Sequence, residues 1–229
     1  MRVALVTFDV YSALFDVTTS LLPRLTPVCG GDEVLASRLV AEWRRLQLQY
    51  TLIATLLGRG HVPFRVVTRR ALDVALHRHG VTVSESTRAQ LTNAWDALAP
   101  WPEASTVLAE VKARGYPIAV LSNGDEAMLR AVVQRLNVPF DHVFAADHAG
   151  VYKPHPAIYH LPVNRLNLAP EQILHVAGSA RDVMGAKAAG LRCFWVNRNG
   201  DRVLDVALDA DAVASDLTGL LDVLDTRGG

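Results

Sequence analysis

Val3-Ala4-Leu5-Val6-Thr7-Phe8-Asp9 decides the fold. The run is short, rich in β-formers and apolar on both faces, and it leads straight into a carboxylate. A strand apolar on both faces belongs inside a parallel sheet covered by helices on each side. Three further runs read the same way: Pro117-Ile118-Ala119-Val120-Leu121, Ile173-Leu174-His175-Val176-Ala177 and Cys193-Phe194-Trp195-Val196. Helical spacing fills the intervals. Thr106 to Arg114 stops at Gly115, Glu126 to Leu136 follows the second strand, and Val183 to Ala189 stops at Gly190. Glycine just past a helix is a C-cap signal. Strand and helix in alternation predict an α/β fold with a Rossmann-like parallel sheet core.

Outward from the first strand the pattern changes. From about Val17 to Ala99 the spacing is helical and no buried strand is evident. Glu33 to Leu57 carries Val34, Leu35, Leu39, Val40, Trp43, Leu46, Tyr50 and Ile53 at helical intervals. Phe64 to His77 and Glu85 to Leu98 give two more helices. Pro100 and Pro102 then mark the return to the α/β pattern. The reading is a core of residues 1–16 and 99–229 with an inserted helical cap domain of residues 17–98. A cap over strand ends is where a substrate pocket forms.

Bulk properties set the frame. The 229 residues suit a core domain with one insert, and half of them are hydrophobic. Acidic and basic residues balance at 23 each, which favours neither nucleic acid nor an anionic membrane as partner. No apolar run approaches the ~18 residues that span a bilayer. Arg2 leads directly into the first strand, and Asp9 follows too soon for a cleavable signal segment. Cys29 and Cys193 lie far apart and suggest no disulfide framework, so a reducing cytoplasm is expected.

Polar residues follow each strand. They are Asp9, Ser122-Asn123, Lys153 after the short Val143-Phe144-Ala145 run, and the loop from Gly178 to Asp182. Residues just past the C-terminal ends of parallel strands converge on one crevice. One such residue is commonly a helix cap or turn former. All four together indicate a hydrolytic site.

The ordered set resembles the four motifs of the haloacid dehalogenase superfamily. Phe8-Asp9-Val10-Tyr11-Ser12-Ala13-Leu14-Phe15-Asp16 is similar to its nucleophile motif, Leu121-Ser122-Asn123-Gly124 to its second, Val151-Tyr152-Lys153-Pro154 to its third, and Val176-Ala177-Gly178-Ser179-Ala180-Arg181-Asp182 to its fourth. Within the superfamily the chain looks most like the L-2-haloacid dehalogenases. Trp43-Arg44-Arg45-Leu46-Gln47-Leu48-Gln49-Tyr50 resembles their cap helix, and Tyr159 after Lys153-Pro154 also fits. That resemblance implies hydrolysis of small 2-haloalkanoic acids through an aspartyl ester on Asp9, with no metal and no other cofactor. It implies Lys153 beside Asp9, Arg44 and Asn123 around the departing halide, and Asp182 holding Lys153 or positioning water. Ser122 and the backbone amides of Val10 and Tyr11 would bind the substrate carboxylate. Tyr159 would bond near the lysine, and Ser179 would play a polar role. Arg45 rather than Arg44 could face inward, Asp182 could be only a helix cap, and Tyr159 could be core. His148 and His155 flank Lys153 at the expected mouth.

A phosphatase of this superfamily needs more. A second acid two residues after the nucleophile protonates the leaving alkoxide, and here that position is Tyr11, whose phenol is a weak acid at neutral pH. An acidic magnesium ligand in the fourth motif is replaced by Gly178. Halide leaves as a stable anion and needs neither. The chain also departs from the dehalogenases: Ser12-Ala13 stands where Gly-Thr is usual, Ala177 replaces a serine, and Arg181 replaces an aromatic and brings an extra positive charge. Two other readings stay open, a phosphatase with an atypical magnesium site and a catalytically weak binding relative. The apolar stretch from Leu46 to Leu57 is expected to pack either on a second subunit, as a homodimer, or against its own cap.

Overall fold

The computed structural model describes residues 2–225; residues 1 and 226–229 of the expected core segment lie outside that range. The chain runs β1 (Leu5–Phe8), β2 (Phe15–Asp16), α1 (Val17–Leu25), α2 (Glu33–Leu57), α3 (Phe64–Arg78), α4 (Glu85–Asn93), β3 (Ala99–Pro100), α5 (Ala104–Ala113), β4 (Ile118–Ser122), α6 (Glu126–Val133), β5 (His142–Ala145), α7 (Ala146–Ala149), α8 (Pro156–Leu166), β6 (Ile173–Ala177), α9 (Ala180–Ala188), β7 (Arg192–Val196), β8 (Ala212–Ala214) and α10 (Gly219–Asp225).

Six strands form one parallel sheet in the order β5-β4-β1-β6-β7-β8. All four residues of β1 are buried, as are all five of β4 and of β6. That burial on both faces is what their continuous apolar sequence demands. With β1 central, the ends of β4 and β6 lie on either side of Asp9. The fold therefore assembles the crevice by strand order alone. The short edge strand β8 was not evident from the sequence. Its Ala-Val-Ala is brief, and Val213 is half exposed, so no buried pattern marks it.

Between β1 and the helical insert, Val10–Leu14 makes a single π-helical turn. Such turns are rare and cluster at functional sites. Here it tucks the segment after the nucleophile under the insert. The two-stranded ribbon of β2 and β3 then pairs Phe15 with Pro100 and Asp16 with Ala99. The excursion of helices thus leaves and returns at one place.

Helix boundaries follow local chemistry. Asp32 caps α2 by accepting the Leu35 N–H at 2.9 Å, and Gly58 ends it with φ at 60°. Ser84 caps α4 by accepting the Thr87 N–H. The helix expected over Glu85 to Leu98 is shorter, because the chain tightens into a 3-10 turn at Ala94–Ala97. That turn buries Trp95 against Trp43, with ring centroids 5.6 Å apart. The helix expected from Val183 starts earlier, at Ala180, because Ser179 is its N-cap.

The helical cap is tied to the core by polar contacts at several points. The Asp125 carboxylate, just past β4, accepts the Phe64 and Arg65 backbone N–H groups at 2.7 and 3.0 Å. These are orphan donors of the first turn of α3, satisfied across the two layers. Tyr152 donates its hydroxyl to the Val62 carbonyl, and its N–H goes to Thr55 Oγ1 at 3.1 Å. No helix among the described residues is long and apolar enough to cross a membrane.

Candidate active site

Asp9 lies immediately beyond β1 and is 8% exposed. Its two oxygens are held differently. Oδ1 accepts from Ser122 Oγ at 3.0 Å and faces Lys153 Nζ at 3.5 Å. Oδ2 accepts from Ser12 Oγ at 3.1 Å. The hydroxyl lost at Ala13 is therefore supplied by its neighbour, because the π-helical turn carries Ser12 back over the carboxylate. The Val10 N–H donates to Ser122 Oγ at 3.4 Å, which closes a small ring around the nucleophile position.

Lys153 Nζ is buried and lies 2.9 Å from Asp182 Oδ2. Its backbone N–H donates to Asn123 Oδ1 at 2.7 Å, so the motif after β4 fixes the loop that carries the lysine. Tyr159 donates to Asp182 Oδ1 at 2.7 Å. Burial works against the Asp182 carboxylate, yet the charge of Lys153 and the nearby His175 hold it well below the usual carboxylate range. Asp182 is thus an ionised group inside the fold. It is not the helix cap that sequence reasoning left open, since Ser179 takes that place, accepting the Asp182 N–H at 3.4 Å.

His175 is the participant that sequence reasoning passed over. It sits mid-strand in β6 and is fully buried, inside a run read only as an apolar strand. Its Nδ1 pairs with Thr7 Oγ1 at 2.9 Å across the strands β1 and β6. Its Nε2 lies 3.1 Å from Asp182 Oδ2 and 3.2 Å from Lys153 Nζ. Burial and then the charge of Lys153 push the imidazole pKa below its ordinary value, so it is neutral at pH 7. Two polar residues facing each other at matched positions of neighbouring buried strands were the available signal.

Above Asp9 stands Arg44 from α2. Its Nη1 donates to Gln47 Oε1, and Gln47 Nε2 in turn donates to Thr68 Oγ1 at 2.7 Å. The guanidinium lies over the Trp95 and Tyr11 rings, 5.4 and 5.9 Å from their centroids. Burial lowers the Arg44 pKa to about 10, which leaves it charged at neutral pH. Arg45 points away and pairs with Glu42 at 2.8 Å on the surface, which settles which arginine faces inward.

Asp9, Tyr11, Ser12, Arg44, Leu48, Ser122, Asn123, Lys153, Ser179, Arg181 and Asp182 surround a cavity of about 30 Å³. It shares Tyr11, Ser12, Arg44 and Ser179 with a neighbouring cleft of about 440 Å³ that reaches Trp101, Trp195 and Asn197. The inner chamber is small and the outer cleft is its approach. Two expectations need correction. The Val10 side chain is fully buried and its N–H is taken by Ser122, so it offers the cavity nothing. Tyr159 does not line the cavity; it is buried behind Asp182. His148 bonds Glu126 at 2.8 Å and His155 caps α8, so neither faces the chamber.

Magnesium does not suit this donor set. Among the described residues no three His, Cys, Asp or Glu side chains group as metal ligands. An ammonium sits against both Asp9 and Asp182. At Gly178 a Cβ would lie 2.5 Å from the Ala13 backbone nitrogen, so an acidic side chain there would require the loop to move. Tyr11, at the position of a phosphatase acid, has its phenol pushed far up by burial.

Comparison with known proteins agrees with this geometry. Residues 3–190 match the family model described as haloacid dehalogenase-like hydrolase. The chain is 34% identical to an (S)-2-haloacid dehalogenase of Pseudomonas sp. (strain YL), over 98% of this chain and 95% of that one. It is 32% identical to haloacetate dehalogenase H-2 of Moraxella sp. (strain B), covering 87% and 88% of the two chains. The L-2-haloacid dehalogenase of Xanthobacter autotrophicus, solved with chloropropionic acid covalently bound, superposes with a TM-score of 0.89 at 29% identity and covers 99% of both chains.

Proposed function

The chain belongs to the haloacid dehalogenase-like hydrolases, and from that premise we propose that it hydrolyses small 2-haloalkanoic acids, of the (S) series, through an ester on Asp9. The observation that carries this reading is the unequal bonding of the Asp9 carboxylate. Oδ1 is engaged by Ser122 and Lys153, whereas among the described residues Oδ2 accepts only from Ser12. Oδ2 therefore keeps a lone pair for attack.

In the first step Oδ2 attacks C2 in line, the carbon–halogen bond breaks and the halide takes the electron pair. Arg44 receives the halide, with the Asn123 amide group beside it; its side-chain oxygen already accepts from Lys153, which leaves its N–H bonds for an anion. In the second step water attacks the Asp9 carbonyl carbon. The developing negative charge falls on Oδ1, where the Ser122 hydroxyl and the Lys153 ammonium stand in place. Donors fixed before charge develops are the effective form of such stabilisation. Asp182 takes the water proton and passes it to the departing C2 oxygen as the intermediate collapses, which breaks the Asp9 ester bond and releases Asp9 and the 2-hydroxy acid. Configuration inverts once, because only the first step occurs at C2.

The small chamber favours two- and three-carbon acids. Leu56 and Leu57 on α2 are strongly exposed and Ile53 partly so, which supports a homodimer through this helix. A cytoplasmic site of action accords with two free cysteines.

The test is halide release from (S)-2-chloropropionate and bromoacetate with and without EDTA, followed by one turnover in ¹⁸O-water. The expected result is EDTA-insensitive release, loss in Asp9→Asn, and label in Asp9 rather than in the first product. Magnesium-dependent release of phosphate from p-nitrophenyl phosphate, without halide release, would replace this reading with the phosphatase one.

A further inference from the structure

Of the groups expected to bind the substrate carboxylate, the Val10 N–H and the Ser122 hydroxyl are taken within the protein, and no charged group has yet been assigned to it. The single proton of Ser122 goes to Asp9 and its oxygen accepts the Val10 N–H. Ser12 also donates to Asp9. Arg44 is directed by Gln47 and stacked over two rings. Neither hydroxyl can turn to a ligand without releasing the nucleophile.

Arg181 lines the same chamber, one residue before Asp182 at the start of α9. Among the described residues it makes no hydrogen bond or ion pair with another protein group. Its charge acts against that of Arg44 across the cavity. The chamber holds three cations, Arg44, Lys153 and Arg181, against two carboxylates, Asp9 and Asp182. Lys153 is balanced by its two neighbours, so the excess positive charge sits between the arginines. One bound monoanion would cancel it. A guanidinium presents parallel N–H bonds that match a carboxylate, and it stays charged where water is scarce.

We infer that Arg181 is the anchor for the substrate carboxylate, a specificity residue that makes the enzyme select 2-halo acids over neutral 2-halo compounds and leaves Arg44 to the halide. The inference rests on the dehalogenase reading above, and it assigns a role to a residue with no counterpart in the expected constellation.

The experiment compares wild type, Arg181→Gln and Arg181→Lys on (S)-2-chloropropionate and on its neutral amide. Arg181→Gln is expected to raise KM for the acid by about 10- to 100-fold, the scale of charge-assisted hydrogen bonds, with a much smaller change in kcat. The acid-over-amide ratio of kcat/KM should fall by a similar factor, and Arg181→Lys should restore part of it. Unchanged KM and an unchanged ratio would overturn the assignment. A second measurement is independent of turnover. Calorimetric titration of Asp9→Asn with propionate, with and without Arg181→Gln, should show the same loss of affinity. Equal affinities would sink the anchor even if halide release proceeds. Absence of halide release in wild type would sink the dehalogenase reading, while the titration still decides the role of Arg181.

Discussion

Lys153 Nζ lies 2.9 Å from Asp182 Oδ2, closer than the 3.5 Å that separates it from Asp9 Oδ1. The ammonium is anchored to one carboxylate so that it can face the other. Asp182 is itself fixed by Tyr159 and His175, so three buried groups set the position of one charge. Removing Asp182 should therefore cost more than a proton acceptor. Asp182→Asn is expected to lower kcat by about 10²–10⁴-fold, the range for a lost acid–base group. It should also destabilise the fold by about 3–5 kcal/mol, because a buried ion pair is broken from one side. Urea unfolding and steady-state kinetics read the two effects separately. A variant equal to wild type in both would remove Asp182 from the site.

His175 and Thr7 form a polar pair inside an apolar sheet. Replacing His175 with Phe leaves the Thr7 hydroxyl buried without its partner, at a cost of about 1–3 kcal/mol. Replacing both, with Thr7→Val and His175→Phe, should recover much of that loss, since apolar groups of similar shape need no partner. The stability of the double variant in urea should exceed that of His175→Phe alone.

The same imidazole gives stability a pH dependence. Its pKa is lowered on folding, so the unfolded chain binds a proton first as pH falls. Stability is fully present above the unfolded value, near 6.5. It falls as pH drops from there toward the lower folded value. The urea midpoint should decline across that window in wild type and less steeply in His175→Phe. Asp182, also depressed, adds a loss of the same sign below the ordinary carboxylate value.

Ser12 restores a hydroxyl to the nucleophile from one position away. Ser12→Ala removes the hydrogen bond accepted by Asp9 Oδ2, the oxygen proposed to attack. The esterification step should slow by about tenfold, as for a single hydrogen bond to a charged group. Single-turnover halide release measures this step directly. If only the later hydrolysis slowed, the roles of the two oxygens would have to be exchanged.

Asp125 links the core to the cap through the first turn of α3. Asp125→Ala should destabilise the protein by about 1–2 kcal/mol, as loss of an N-cap does. It should also raise KM, because α3 carries Thr68, which holds Gln47 and through it Arg44. Thermal unfolding and substrate saturation curves test both parts.

Sequence alone determined the class of fold, the long cap helix and the four strand-end motifs. Buried parallel strands must be apolar on both faces, and α2 announces its ends through Asp32 and Gly58; such signals are local and therefore written in order along the chain. Asp9 and Lys153 could be named for the same reason, as polar residues at strand ends. What Ser122, Tyr159 and His175 bond to was decided only by the tertiary structure. Apart from the His175–Asp182 contact, seven residues apart, each depends on a partner at least 22 residues distant in the chain, and no local pattern records such a distance. The choice of Arg44 over Arg45, the return of Ser12 to Asp9 and the solitary charge of Arg181 have the same origin: a hydrogen bond or an uncompensated ion is a property of what surrounds a side chain, and only packing supplies the surroundings.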